Sequence, residues 1–296
     1  MGGAPSETAK LLFRRKPEPR MVNDLDNGLR RCDGPFDWFV GDRMNQPLSL
    51  VLITKNAAAL LPGCLASVPF ADEVVVVDSG STDGTVAVAE GLGARVARQD
   101  WLGYGPQKQF AVEQARNDWV LCLDADERLT PELAEAIRAV LAAPAAPAYA
   151  LPRRNRFMGR WLLHGEGYPD WCIRLFDRRR ARWSDDTVHE KVLVQGQVAR
   201  LAGDLLHESE QGLADYLDKQ NRYTSVQADI LFANGKPFRW SKMVFSPPLR
   251  FIKFYVLRRG FLDGLPGLVH IAVGCFNSFV KYAKLRERQR GRSGGQ

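Results

Sequence analysis

Between Leu48 and Leu141 the apolar residues alternate between two rhythms. Leu48 to Thr54 (LSLVLIT) is a short, nearly continuous apolar run, the pattern of a strand buried on both faces. A helix through Leu60, Leu61 and Leu65 follows, then a second buried strand, Glu73 to Asp78 (EVVVVD). Asp83-Gly84 opens a helix through Val86 and Ala89, with Asp83 as its expected N-cap. Arg95 to Arg98 reads as a third strand, Gln107 to Ala115 as a helix, and Trp119 to Leu123 (WVLCL) as a fourth strand. That strand runs straight into Asp124-Ala125-Asp126-Glu127. Thr130 is placed to cap a helix with Pro131 at its first position, and Leu133, Ile137, Val140 and Leu141 keep helical spacing. Repeated strand-helix units predict an α/β fold with a mainly parallel sheet covered on both faces.

Beyond the Ala/Pro turn at 142–148 the rhythm changes. Ala148 to Arg153, Trp171 to Phe176 and Val188 to Val194 read as short strands, and from Gln211 the chain reads as helical, interrupted at Pro237 and at Pro247-Pro248. The first 43 residues have no sustained apolar period, which predicts a disordered tail or an over-extended start, since Met44 directly precedes the first strand. The expected division is therefore a tail over 1–43, a catalytic domain over 44–210 and a helical, basic region over 211–296.

Composition adds a few bounds. With 45% hydrophobic and 25% charged residues the chain can bury a sizeable core. No apolar run is long enough for a transmembrane helix, and the start lacks a secretory signal. Five cysteines without CxxC spacing read as reduced thiols of a cytoplasmic protein. The net charge of +7 is concentrated at the C-terminal end, where Arg250 to Gln296 holds ten basic residues against two acidic ones. There, Leu268, Val269, Ala272, Val273, Phe276, Phe279 and Val280 fall on one helical face, with His270, Asn277, Lys281 and Lys284 opposite. Such a helix, followed by Arg286, Arg288, Arg290 and Arg292, suits an anionic membrane surface, or packing on the catalytic domain. The Arg250 to Arg259 stretch has its basic residues on several sides and suits a membrane less well. A nucleic-acid-binding protein would instead interleave basic and aromatic residues on the folded domain.

In an open parallel sheet, ligands bind beyond the carboxyl ends of the strands. Asp78 ends the second strand, Asp124 ends the fourth, and Asp126 follows two residues later. Such carboxylates can converge on a hard cation that fills its shell with phosphate oxygens and water. They can also serve as turn and cap residues. The Ser79-Gly80-Ser81-Thr82-Asp83-Gly84 loop lacks both GxGxxG and GxxxxGK[ST], against a dinucleotide fingerprint or a P-loop. A sugar nucleotidyltransferase would need a Gly-rich, basic loop after strand one, where this chain has Thr54-Lys55-Asn56-Ala57-Ala58.

The series LSLVLITKN, EVVVVDSGSTDGT and WVLCLDADE resembles the nucleotide-binding half of family 2 glycosyltransferases, which have the GT-A fold. The segments Tyr168 to Phe176, Val188-His189-Glu190 and Arg259 to Gly264 resemble those of the lipopolysaccharide core β-1,4-glucosyltransferases and their homologues. The resemblance implies that Thr54 lines the nucleotide site, Asp78 contacts base or ribose, Asp124 lies near the ribose and Asp126 binds a divalent cation (Mg2+ or Mn2+). His207 matches a histidine of related catalytic domains, which implies either a metal or diphosphate contact or a structural role. The resemblance also implies a nucleotide-sugar donor, UDP-glucose in the first place with an ADP-heptose as rival, and a lipid-linked saccharide acceptor at the inner face of the cytoplasmic membrane. Inverting transfer needs a base within reach of the acceptor hydroxyl. Asp170 is the first candidate and Glu190 the second. Arg174 is expected either on the diphosphate or paired with Asp170, and Arg153, Arg154, Arg156 and Arg160 either on acceptor phosphates or in a solvated loop.

Overall fold

The computed structural model describes residues 45–186, 190–208 and 212–293. The expected tail over 1–43, and Val188 and His189 of the Val-His-Glu segment, lie outside the described residues. The first half runs β1 (Leu48–Thr54), α1 (Leu61–Ala66), β2 (Glu73–Asp78), α2 (Thr85–Gly91), β3 (Arg95–Arg98), α3 (Tyr104–Gln114), β4 (Trp119–Asp124), β5 (Glu127–Leu129) and α4 (Pro131–Ala142). The second half has β6 (Ala148–Phe157), β7 (Arg160–Trp161), β8 (Asp170–Asp177), β9 (Ala181–Trp183), β10 (Val192–Val194), β11 (Val198–Arg200) and β12 (Leu205–His207). Three long helices end the chain, α5 (Leu213–Ala233), α6 (Trp240–Phe251) and α7 (Gly264–Ser293).

One curled sheet organises the molecule in the order β3-β2-β1-β4-β8-β6-β12-β5. The β3-β2-β1-β4 half is parallel, whereas β8 runs antiparallel to both β4 and β6, and β12 antiparallel to β5. Alternation along the buried strands separates two cores. Leu50, Leu52, Leu121 and Leu123 pack with Leu61 of α1 and with Leu133 and Ile137 of α4. Val51, Val75, Val77, Val120 and Cys122 face the other way, onto Ala111 and Val112 of α3 and onto Trp183. The four cysteines among the described residues are unpaired, and burial pushes the Cys122 thiol up to about 12, as befits an inert core residue.

Local signals account for most helix ends. Thr130 Oγ1 accepts from the Leu133 amide, closing the first turn of α4 as expected. At α2 the cap differs. Gly84, with φ of 86°, occupies the N-cap, and Asp83 reaches the Thr85 amide from one position earlier (3.1 Å). Pro247-Pro248 does not interrupt the helix but lies inside α6. Just downstream, residues 252–257 widen into a π-helical turn, with Arg258 N donating to Lys253 O.

The helix expected at Leu268 to Lys284 extends over the whole of α7, and its polar face is turned inward. His270 packs against Phe157 and Tyr216, Asn277 donates to Gln220 (2.8 Å), and Lys284 donates to Asn221 (2.6 Å) and Ser225 (2.8 Å) of α5. Phe276 and Phe279, of the expected apolar face, are exposed. Among the described residues no helix is long and apolar enough to cross a membrane.

Candidate active site

Two loops at the carboxyl ends of β1 and β2 are zipped together. Asn56, with φ of 54°, accepts from the Thr82 amide (2.9 Å), while its own amide donates to Ser81 Oγ (2.8 Å). Ala57 N donates to Thr85 Oγ1 and Ala58 N to Asp83. Asp78 lies beneath, buried. Its Oδ2 accepts from the amides of Gly80 and Ser81 (both 2.9 Å), and its Oδ1 from the hydroxyls of Ser81 and Thr54. Burial alone would raise its pKa, but these donors reverse the shift and hold the carboxyl below its ordinary value. All four acceptor positions are spent on the chain itself. Asp78 and Thr54 therefore shape the loop, rather than projecting a free group from it.

At the end of β4 the acidic series meets three cations, Lys108, Arg153 and Arg174, of which Lys108 was not foreseen from the sequence. Asp124 Oδ2 accepts from Arg174 (2.6 Å) and its Oδ1 lies 3.3 Å from Lys108 Nζ. Glu127, fully buried, accepts from the same Arg174 nitrogen (2.6 Å) and pairs with Arg153 at 3.4 Å. Burial works against the charged form of Asp124, yet Arg174 and Lys108 outweigh it and hold the carboxyl well below the usual carboxylate range. Lys108 is opposed by burial and by Arg174, but Asp124 and Glu190 keep its pKa above the ordinary value. Asp124 and Lys108 are therefore both ionised at neutral pH. Arg174 was expected on the diphosphate or on Asp170. It is instead buried against Asp124 and Glu127, because β8 lies beside β4 and brings its inward side chain under the Asp124 turn.

The cross-strand register explains the rest of the cluster. Glu127 of β5 and Asn155 of β6 both stand opposite His207 of β12, and Arg153 of β6 stands opposite Asp170 of β8. Asn155 Nδ2 donates to Gly167 O (3.3 Å), which leaves Oδ1 to accept from His207 Nδ1 (2.7 Å). The proton thus sits on Nδ1, and Nε2 faces Asp126 Oδ2 at 3.2 Å. Two acceptors this close repel unless a proton or a cation lies between them. Ligands about 2.1 Å from one octahedral ion would stand about 3 Å apart on adjacent vertices, so the pair fits a divalent ion. Among the described residues no three of His, Cys, Asp and Glu converge on one point. The fit is to an ion that keeps phosphate and water ligands, not to a closed protein cage.

β12 reaches this position through a close approach. A Cβ on Gly203 (φ 88°) would lie 2.3 Å from the Leu133 amide at the head of α4. Asp204 and Thr130 also exchange backbone and hydroxyl hydrogen bonds of 3.0 Å.

The two candidate bases differ in setting. Asp170 begins β8, is partly exposed, and accepts from Arg153 Nε (3.0 Å) and Nη2 (2.6 Å), both through Oδ2. Its partner is therefore Arg153, its cross-strand neighbour, and not Arg174. Glu190 accepts from Lys108 through Oε1 (2.9 Å). Residues 184–186 are held close to α3, where a Cβ on Gly105 would collide with Ser184 O and Asp186 O. The arginines read as a loop cluster lie on or beside β6. Arg154 pairs with Asp204, Arg156 with Glu208, and Arg160 donates to Leu262 O.

The family model described as Glycosyl transferase family 2 matches residues 49–194. A lipopolysaccharide core biosynthesis glycosyltransferase of Rhizobium meliloti is 33% identical over 250 residues, 82% of this chain and 93% of its own length. This chain belongs to glycosyl transferase family 2. An uncharacterized glycosyltransferase of Rickettsia typhi is 34% identical, over 81% of this chain and 87% of its own. A solved mannosyltransferase of Pyrobaculum calidifontis, in complex with GDP-Man and Mn2+, aligns at a TM-score of 0.47 and 17% identity, over 82% of this chain and 86% of that one. This family 2 glycosyltransferase is thus an enzyme of GT-A fold, as its motifs implied. Thr54, Asp78, Asp124, Asp126, Asp170, Arg174 and Glu190 fall inside the matched span, and His207 beyond it.

Proposed function

We propose that this family 2 glycosyltransferase moves a sugar, glucose from UDP-glucose in the first place, onto a hydroxyl of a lipid-linked saccharide. The inner core of lipopolysaccharide is such an acceptor, and the reaction inverts the anomeric centre at the cytoplasmic face of the cytoplasmic membrane. One observation carries the reading: Asp126 and His207 Nε2 face each other with the tautomer set by Asn155, one residue from a buried Glu127-Arg174-Asp124 lattice. The lipopolysaccharide-core relative, at 33% identity, supports the acceptor class.

In this reading Asp126 and His207 would hold a divalent cation (Mg2+ or Mn2+), which would supply positive charge against the departing nucleoside diphosphate. Arg174 and Lys108 keep Asp124 ionised and fixed, with lone pairs left to accept from the donor ribose. The zipped loops carrying Asn56, Ser81 and Thr82 wall the nucleotide side, and Asp78 holds their shape. Asp170 takes the proton as the acceptor oxygen bonds to the anomeric carbon and the bond from that carbon to the diphosphate breaks. Arg153 holds Oδ2 of that carboxylate, and Oδ1 is the oxygen that receives the proton. Glu190, tied to buried Lys108, serves as a positioning group.

The test is donor-binding calorimetry with Mn2+ over UDP-glucose, GDP-mannose and an ADP-heptose, alongside transfer assays. Asp126→Ala is expected to lose metal-supported donor binding. Asp170→Asn is expected to bind donor normally while transfer falls by roughly a hundredfold or more. Normal turnover by both variants would remove the site assignment.

A further inference from the structure

The C-terminal helices bury Met243, Ile271 and Leu285, yet they also turn polar groups inward and leave large apolar side chains outside. Where α6 and α7 face the rest of the chain, Arg250 pairs with Glu166 and donates to Ser278 Oγ (3.1 Å). Asp263, buried at the turn before α7, accepts from the amides of Leu163 and His164. Solvent meets the apolar residues instead. Phe245, Leu249, Leu257 and Phe276 are 61%, 64%, 73% and 63% exposed, and Trp240 and Ile252 extend the same strip. So many large exposed apolar side chains on neighbouring helices mark an interaction surface.

Charge says what covers it. From Ile230 to Leu262 the chain has seven basic residues and no acidic one. Six of them, Lys236, Arg239, Lys242, Lys253, Arg258 and Arg259, are exposed around the strip. Among the described residues none of these six is in an ion pair. A second copy on a two-fold axis would set this basic rim against itself. An interface of acyl chains beneath anionic headgroups satisfies both features at once.

We infer that α6, the π-helical turn after it and the outward face of α7 form one platform that lies in the interface of an anionic bilayer. The Pro-Pro stretch and Arg250 to Arg259, which looked the weaker membrane segment in sequence, supply most of it. The platform is also fastened to the acceptor side of the cleft. Arg160 donates to Leu262 O (3.0 Å), Gly165 N to Arg258 O (2.9 Å), and Asp263 holds the 163–164 amides, a few residues before Asp170. This link to the acceptor rests on the reading of Asp170 and a lipid-linked substrate; the binding surface itself does not.

The experiment is flotation of the full chain with vesicles of phosphatidylcholine alone or mixed with phosphatidylglycerol, at low and high salt. Wild type is expected to float with the anionic vesicles only, less so at high salt. The double variant Leu249→Ser, Leu257→Ser is expected to bind at least tenfold more weakly, with unchanged thermal unfolding and unchanged Mn2+-supported nucleotide binding. Lys253→Glu with Arg258→Glu is expected to lose the preference for anionic lipid. Equal binding by the serine variant, or equal binding to both vesicle types, overturns the inference. So does a wild-type dimer that the serine substitutions dissociate, for then a second copy covers the strip. Intact vesicle binding without transfer to any lipid-linked saccharide would instead count against the proposed function.

Discussion

The β1–β4 half and the α6–α7 platform spend their apolar residues in opposite directions. In the first, Leu50, Val76 and Leu121 are fully buried and charge gathers at the strand ends. In the second, Arg250, Ser278 and Asp263 are turned inward, while Leu249 and Leu257 face out. The difference shows that apolar content alone does not identify a core. What matters is which side the hydrogen-bonding groups take, since each buried polar group must find a partner.

The contrast is sharpest at Glu127. Glu127→Ala leaves Arg174 and Arg153 without their shared buried carboxylate, and should lower the unfolding free energy by about 3–5 kcal/mol in a urea titration. His270 on α7 comes next. Burial first, and Arg250 second, lower its pKa to about 4, against about 6.5 in an unfolded chain. The folded state favours the neutral ring, so the unfolded chain takes up the proton first as the pH falls. The stabilisation is complete above about pH 6.5 and is lost between there and about pH 4. His270→Phe should flatten that part of the stability curve, by up to about 3 kcal/mol, in thermal melts across the range. Smallest is Leu249→Ser on the platform. It should leave stability in water within about 0.5 kcal/mol of wild type, whereas Leu121→Ala in β4 should cost about 2–5 kcal/mol. Equal costs at the two leucines would erase the contrast.

The parallel half of the sheet was legible in sequence because its strands are local: LSLVLIT, EVVVVD and WVLCLD each carry their own burial signal. Asp124 and Asp126 could be placed at a strand end for the same reason. Glu127 was passed over as part of a turn, and its role arises from Arg174, 47 residues away, and from a three-residue strand too short to show a period. Lys108 sits among Gln107 and Gln109 on a helix with little amphipathic contrast, and only its contacts with Asp124 and Glu190 reveal it. The helical period of α7 was readable. Which face met the protein was not, because that depends on the polar residues α5 offers it.

The short strand β12 makes the chemistry of the cleft a matter of sheet alignment. Its side chains alternate across the sheet, so slipping by a single residue would replace the imidazole beside Asp126 with the isobutyl group of Leu206. Gly203 guards against that slip, since its bare α-carbon alone can nestle against the first turn of α4. A residue with no side chain thereby decides which side chain faces Asp126.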